Sequence, residues 1–132
     1  MEMYNKVWER RSFKYVKKFY SVNAVVHYIC NKELVGYKQI QGQLNSLFSS
    51  VPNAKVIIER VTCNQKGSDK DWDVSVRWRL QGPHEGIGIF GQPCGKPIEI
   101  FGINQLKIVN GQILEEWLRS IKANLFGFRW RK

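Results

Sequence analysis

The sequence predicts an α+β domain, with two or three N-terminal helices packed on one face of an antiparallel sheet. Two observations carry this. Apolar residues recur at three- and four-residue steps as far as Phe48, and from Val56 onward they recur at every second position. No internal repeat, linker or low-complexity tract interrupts the chain, so residues 1–132 read as one domain.

Tyr4, Val7 and Trp8 fall at helical spacing, and Phe13, Val16 and Phe19 do so again behind Ser12, a residue suited to cap a helix. Lys6, Arg10, Arg11, Lys14, Lys17 and Lys18 occupy the other faces, giving short amphipathic helices with a basic wet side. Asn23 to Tyr28 reads as a short extended piece. Tyr37, Ile40, Leu44, Leu47 and Phe48 line a longer helix, opened at Gly36 and stopped by Pro52. Val56, Ile58 and Val61 mark a strand ended by the polar turn Asn64 to Asp69. Val74, Val76, Trp78 and Leu80 alternate with Ser75, Arg77, Arg79 and Gln81, as a strand with one dry and one wet face requires. Ile98 to Val109 forms the next strand, and Asn110-Gly111 is a two-residue hairpin turn into Gln112–Arg119.

Composition excludes several classes. Hydrophobic residues make up 43% and aromatics 13%, too many for a disordered chain. No apolar run reaches the ~20 residues of a membrane span, and Met1-Glu2-Met3-Tyr4 lacks the layout of a signal peptide. Cys30, Cys63 and Cys94 are odd in number and never paired as Cys-x-x-Cys. That fits neither a disulfide framework nor structural zinc, and implies reduced thiols and a cytoplasmic location. The formal charge is +10. Residues 1–20 hold six basic and two acidic groups and residues 111–132 hold five and two, while residues 81–110 balance. Basic ends suit either a solvated surface or a non-catalytic adaptor for nucleic acid or a partner, using Lys14, Lys17, Lys18, Arg129, Arg131 and Lys132.

Chemistry-bearing motifs are few. Gly86 to Gly91 spells the dinucleotide fingerprint, but Pro93 and Pro97 forbid the helix that must follow, and Pro97 also spoils a Walker reading of Gly95-Lys96. His27 and His84 have no carboxylate or second histidine at ligand spacing, so neither a metal nor any other cofactor is expected. Each histidine suits a general base or a hydrogen-bonded structural group. Cys94, His84 and Asn104 supply the groups of a thiol hydrolase without its spacing.

Ala24-Val25-Val26-His27-Tyr28, Val76-Arg77-Trp78, Gly82-Pro83-His84-Glu85-Gly86, Gly95-Lys96-Pro97-Ile98 and Asn110 through Trp117 occur in an order that resembles the SnoaL-like, polyketide cyclase-like proteins of the nuclear transport factor 2-like superfamily. The resemblance covers roughly residues 4–118 and leaves 119–132 as a basic, aromatic C-terminal extension. It implies a cone, a curved mixed or antiparallel sheet wrapped by two to three helices around an apolar pocket, commonly as a homodimer. It implies an apolar, polyketide- or steroid-like ligand, with isomerase or cyclase chemistry in some members. Matched by position, His27, Trp78, His84 and Trp117 correspond to cavity residues. Where cyclase-type members carry an acid–base aspartate after the strand motif, this chain has Asn104, a carboxamide with no proton to exchange near neutrality. Parity puts Asn104 on a strand face with Ile98, Ile100, Gly102, Leu106 and Ile108, a lone polar group on an apolar wall. The expected site is therefore His84 or His27 as base, with Asn104, Trp78, Trp117 and Tyr28 contacting the ligand.

Overall fold

The structure, a computed structural model, describes residues 7–8, 10–28, 32–86 and 95–124. Val7 and Trp8 form part of a helical turn, and a 3-10 turn over Phe13–Tyr15 leads into α1 (Val16–Phe19). The chain continues through β1 (Tyr20–His27), β2 (Glu33–Val35), α2 (Gly36–Ser50), β3 (Lys55–Lys66), β4 (Ser68–Pro83), β5 (Pro97–Val109) and β6 (Gln112–Asn124). One curved, six-stranded sheet has the order β2-β1-β6-β5-β4-β3. Strands β3 to β6 form the expected antiparallel meander, while β1 lies parallel to β6 and makes the sheet mixed.

Parity decides which face is dry. Val74, Val76, Trp78 and Leu80 of β4 and Ile98, Ile100 and Leu106 of β5 point inward, where they meet Ile40, Leu44, Leu47 and Phe48 from α2. Trp8 joins these layers, 5.0 Å from Trp78 and edge-on to Phe48 at 5.6 Å between ring centroids. Gly102 faces Trp78 across β4 and β5. A Cβ there would lie 2.1 Å from the indole, so the missing side chain is what admits the ring. At the β5–β6 hairpin, Asn110 and Gly111 have φ of 54° and 79°, the left-handed pair that a primed turn demands.

Four details depart from the sequence reading. Strands β3 and β4 pair through Gln65–Trp72 and Lys66–Ser68, so only Gly67 turns where a six-residue loop was expected. Its φ of 54° explains how one residue suffices. Strand β2 is too short to show a period, and Ser12 precedes its helix without a side-chain cap. Strand β6 runs to Asn124, beyond Arg119. Tyr4, Lys6, Cys30, the loop Ile87–Cys94 and the tail Phe126–Lys132 lie outside the described residues. Among the described residues no helix is long and apolar enough to cross a membrane.

Candidate active site

Among the described residues of the sheet's inner face, the buried polar side chains gather at one place. Glu116 of β6 is 2% exposed, and Asn104 of the neighbouring β5 is fully buried. Both point into the space under α2. Tyr20, at the start of β1, donates its hydroxyl hydrogen bond to Glu116 Oε1. Asn104 Nδ2 donates to Glu116 Oε2 at 2.6 Å, and Trp78 Nε1 donates to Asn104 Oδ1 at 2.9 Å. This chain of donors has one consistent direction. An indole N–H can only donate, so it claims the oxygen of Asn104 and turns the amide nitrogen toward the carboxyl.

Burial dominates the ionisation of Glu116. Loss of hydration pushes its pKa from the ordinary 4.5 up to about 7, and the hydrogen bonds from Tyr20 and Asn104 only partly offset that. Tyr28 is also held neutral, its pKa raised to about 12 by burial and by the nearby charge of Glu116, against a hydrogen bond with Gln43 that lowers it. The result is a carboxyl that exchanges a proton near neutral pH beside a phenol, Tyr28, that stays protonated.

A cavity of about 30 Å³ opens against this carboxyl. Trp8, Leu44, Leu47 and Leu118 form apolar walls, and Tyr20, Tyr28, Gln43 and Glu116 are its polar groups. Its volume holds about two water molecules. At the edge, Lys32 Nζ donates to Gln43 Oε1 at 3.0 Å. The expected apolar pocket is thus present in narrow form, because Trp8 and the leucines of α2 fill most of the cone.

The residues expected from sequence divide into three groups. Tyr28 lines the cavity, while Asn104 and Trp78 stand behind Glu116 and orient it. His27 and Trp117 lie on the opposite face, as alternation dictates beside Val26 and Glu116. There the two rings stack at 5.4 Å, and His27 Nε2 lies 2.6 Å from Glu115 with Nδ1 3.6 Å from Glu33. His84 is 3% exposed, but it follows the Pro83–Pro97 pair, seven strand residues from Asn104, roughly 23 Å along β5. Its backbone bonds Lys96 and Gly95, closing the far end of the β4–β5 ladder. No histidine therefore lies at the cavity. Among the described residues no group of three potential metal ligands occurs.

Glu116 and Tyr20 were missed by sequence reasoning. The parity test that singled out Asn104 applies equally to Glu116, which shares its face with Leu118. A β-bulge between Lys107 and Ile108 obscures that test, because it lets Ile113 and Glu116, three residues apart, both point inward.

The chain matches the sequence profile of the SnoaL-like polyketide cyclases over residues 1–125. No curated protein matches it at a significant level. Among solved structures, a protein assigned as a SnoaL-like polyketide cyclase from Jannaschia sp. CCS1 superposes with a TM-score of 0.76 at 18% identity, over 90% of this chain and 80% of that one. IdmH from Streptomyces antibioticus, assigned as a polyketide cyclase, gives 0.68 at 18% identity over 89% and 86%. AclR from Streptomyces galilaeus, assigned as a hydroxylase, gives 0.66 at 18% identity over 89% and 71%. At such identities the likeness is one of fold.

Proposed function

Since the chain belongs to the SnoaL-like polyketide cyclase family, we propose that it binds a small, uncharged, largely apolar carbonyl compound in the cavity and moves a proton on it with Glu116 as acid–base group. One observation carries this reading: a fully buried carboxyl with a pKa of about 7 sits on the wall of an apolar cavity. A general base works best when its pKa lies near the working pH. In the carboxylate form, Glu116 takes a proton from the carbon beside the carbonyl, and the C–H electrons move onto the carbonyl oxygen. A neutral phenol, held protonated well above physiological pH, is suited to donate to that developing enolate, and Tyr28 is such a group at the cavity. Where a double bond conjugates with the enolate, return of the proton to its far carbon gives isomerisation; attack of the enolate on a second carbonyl of the same molecule gives cyclisation, and the proton on Glu116 passes to the alkoxide so formed.

Asn104 acts in this scheme as a positioning residue. It passes the indole donor of Trp78 on to Glu116 and holds the carboxyl in one orientation. The acid–base group then lies on β6, one strand away from the position where the family resemblance implies an aspartate and this chain has Asn104. Ligand entry requires Gln43 and the α2 leucines to give way, because the cavity is narrow.

The test is Glu116→Gln, assayed with cyclic ketones and followed by ligand-dependent melting. Loss of turnover with retained binding supports the scheme, as does a rate that rises with pH through about 7 in the unsubstituted protein. Unchanged turnover in the variant refutes it.

A further inference from the structure

A second chain of donors runs beside the one that ends on Glu116. The β1–β2 hairpin closes with the Tyr28 N–H donating to the Lys32 carbonyl at 2.6 Å, which holds these two residues together. Tyr28 keeps the inward parity of Val26, two residues before it, and both line the cavity. Gln43 precedes the buried Leu44 and lies at the border of the apolar stripe of α2, where it too reaches the cavity. Lys32 Nζ donates to Gln43 Oε1 at 3.0 Å, and the Gln43 side chain hydrogen-bonds the Tyr28 hydroxyl.

Donor chemistry fixes the direction of this chain. An ammonium can only donate, so it takes the amide oxygen of Gln43 and leaves Nε2 for the phenol. The effect on Tyr28 agrees. The Gln43 hydrogen bond lowers its pKa, as a bond donated to the phenol oxygen does, because it favours the charged form. Tyr28 is therefore an acceptor toward Gln43, and its own proton turns another way. Glu116 already holds a donor on each oxygen, Tyr20 on Oε1 and Asn104 on Oε2. What the ring presents to the cavity is then a hydroxyl proton. The carboxylate next to Lys32 in sequence, Glu33, faces His27 at 3.6 Å, which leaves the ammonium to the amide.

We propose that Lys32 and Gln43 are positioning residues that aim the Tyr28 hydroxyl proton at the ligand's carbonyl oxygen, resting on Tyr28 as the donor in the chemistry proposed above. Trp78 and Asn104 orient the acid–base group on β6, and Lys32 and Gln43 orient its counterpart at the end of β1. The two relays differ at their heads. The first starts from a buried, neutral indole, the second from an exposed cation. Gln43 has to move aside to admit a ligand, and the ammonium outside draws its oxygen back once the ligand is in place. A positive charge at the head also polarises the amide N–H and, through it, the phenol O–H. The donor thus strengthens where negative charge collects on the ligand oxygen.

The experiment reads the infrared carbonyl stretch of cyclohexanone, carbon-13-labelled at the carbonyl, bound to the full chain carrying Glu116→Gln, so that no proton transfer disturbs the ligand. A hydrogen bond from Tyr28 lowers that frequency. Gln43→Glu is the sharpest variant, because a carboxylate only accepts and would turn the Tyr28 proton away from the cavity. The lowering should be lost in Gln43→Glu and Tyr28→Phe, reduced in Gln43→Leu and Lys32→Met, and kept in Lys32→Arg. With Glu116 intact, Gln43→Glu should lower kcat roughly 10- to 100-fold and change KM less than about threefold, a smaller loss than removing an oxyanion donor outright. Carbon-13 NMR of ζ-labelled tyrosine, assigned with Tyr28→Phe, supplies a readout without ligand, in which Gln43→Glu and Lys32→Met should move the Tyr28 signal. A stretch that responds to Tyr28→Phe but not to Gln43→Glu or Lys32→Met would overturn the relay and leave the proposed chemistry standing. A stretch indifferent to Tyr28→Phe would remove Tyr28 as the donor, and the relay with it. If cyclohexanone does not bind, the tyrosine signal decides: unmoved by Gln43→Glu, it overturns the relay.

Discussion

Glu115 and Glu116 are neighbours in sequence and occupy two different solvents. Glu115 lies on the outer face with 34% of its side chain exposed, against the imidazole of His27. Glu116 points inward at 2% exposure and is surrounded by neutral donors, Tyr20 and Asn104. Alternation along one strand makes this division, because a one-residue step moves a carboxyl from water to the underside of α2. The difference teaches where chemistry can arise. A half-exposed carboxylate against an imidazole is a surface contact, whereas one stripped of water and given only neutral donors becomes a weak acid near neutrality.

Substitutions can break this contrast from either face. The largest effect is expected from Glu116→Gln, which should lower turnover by about 10²- to 10⁴-fold in a steady-state assay, while Glu115→Gln leaves it nearly unchanged. Stability should carry the same signature. The folded-state pKa of Glu116 is raised from 4.5 to about 7, so between those values the folded protein keeps a proton that the unfolded chain has released. Stability is then full below pH 4.5, falls as pH rises toward 7 by about 3 kcal/mol, and is flat above. Urea denaturation across this range should show the decline in the parent protein and its disappearance in Glu116→Gln.

Two further variants sharpen the inner half. Gly102→Ala drives a methyl into the Trp78 indole and should cost about 1–3 kcal/mol, measured by denaturation. Asn104→Asp sets two carboxyls against one another, so they must share a proton. It should cost about 1–3 kcal/mol near neutrality and less at low pH. It also withdraws the amide donor from Glu116, so turnover should fall. The smallest effect is expected on the outer face. His27→Gln removes half-exposed contacts with Glu33 and Glu115 and should change stability by less than about 1 kcal/mol.

Much of the architecture was legible because period and turn chemistry agree with tertiary structure. The alternation of Val74 to Leu80, the helix ending near Pro52 and the Asn110-Gly111 turn each reflect a local rule that packing does not overrule. Asn104 was found by parity, since β5 is regular on either side of it. Glu116 was obscured by a bulge that reverses parity between Ile113 and Glu116, and by an adjacent glutamate that looked equivalent. His27 and Trp117 carried family-like identities, but which way they point depends on β1 lying parallel to β6, a long-range pairing that no local pattern encodes. Tyr20 reaches Glu116 across 96 residues of sequence for the same reason.

The most direct measurement is a titration of the Glu116 side-chain carboxyl by carbon-13 NMR, with Glu115 in the same spectrum as an internal contrast and Glu116→Gln to assign the signal. A midpoint near 7 for Glu116 that moves when Asn104 or Tyr20 is substituted is the expected result. A midpoint near the ordinary 4.5 would contradict a buried acid–base group and, with it, the proposed chemistry.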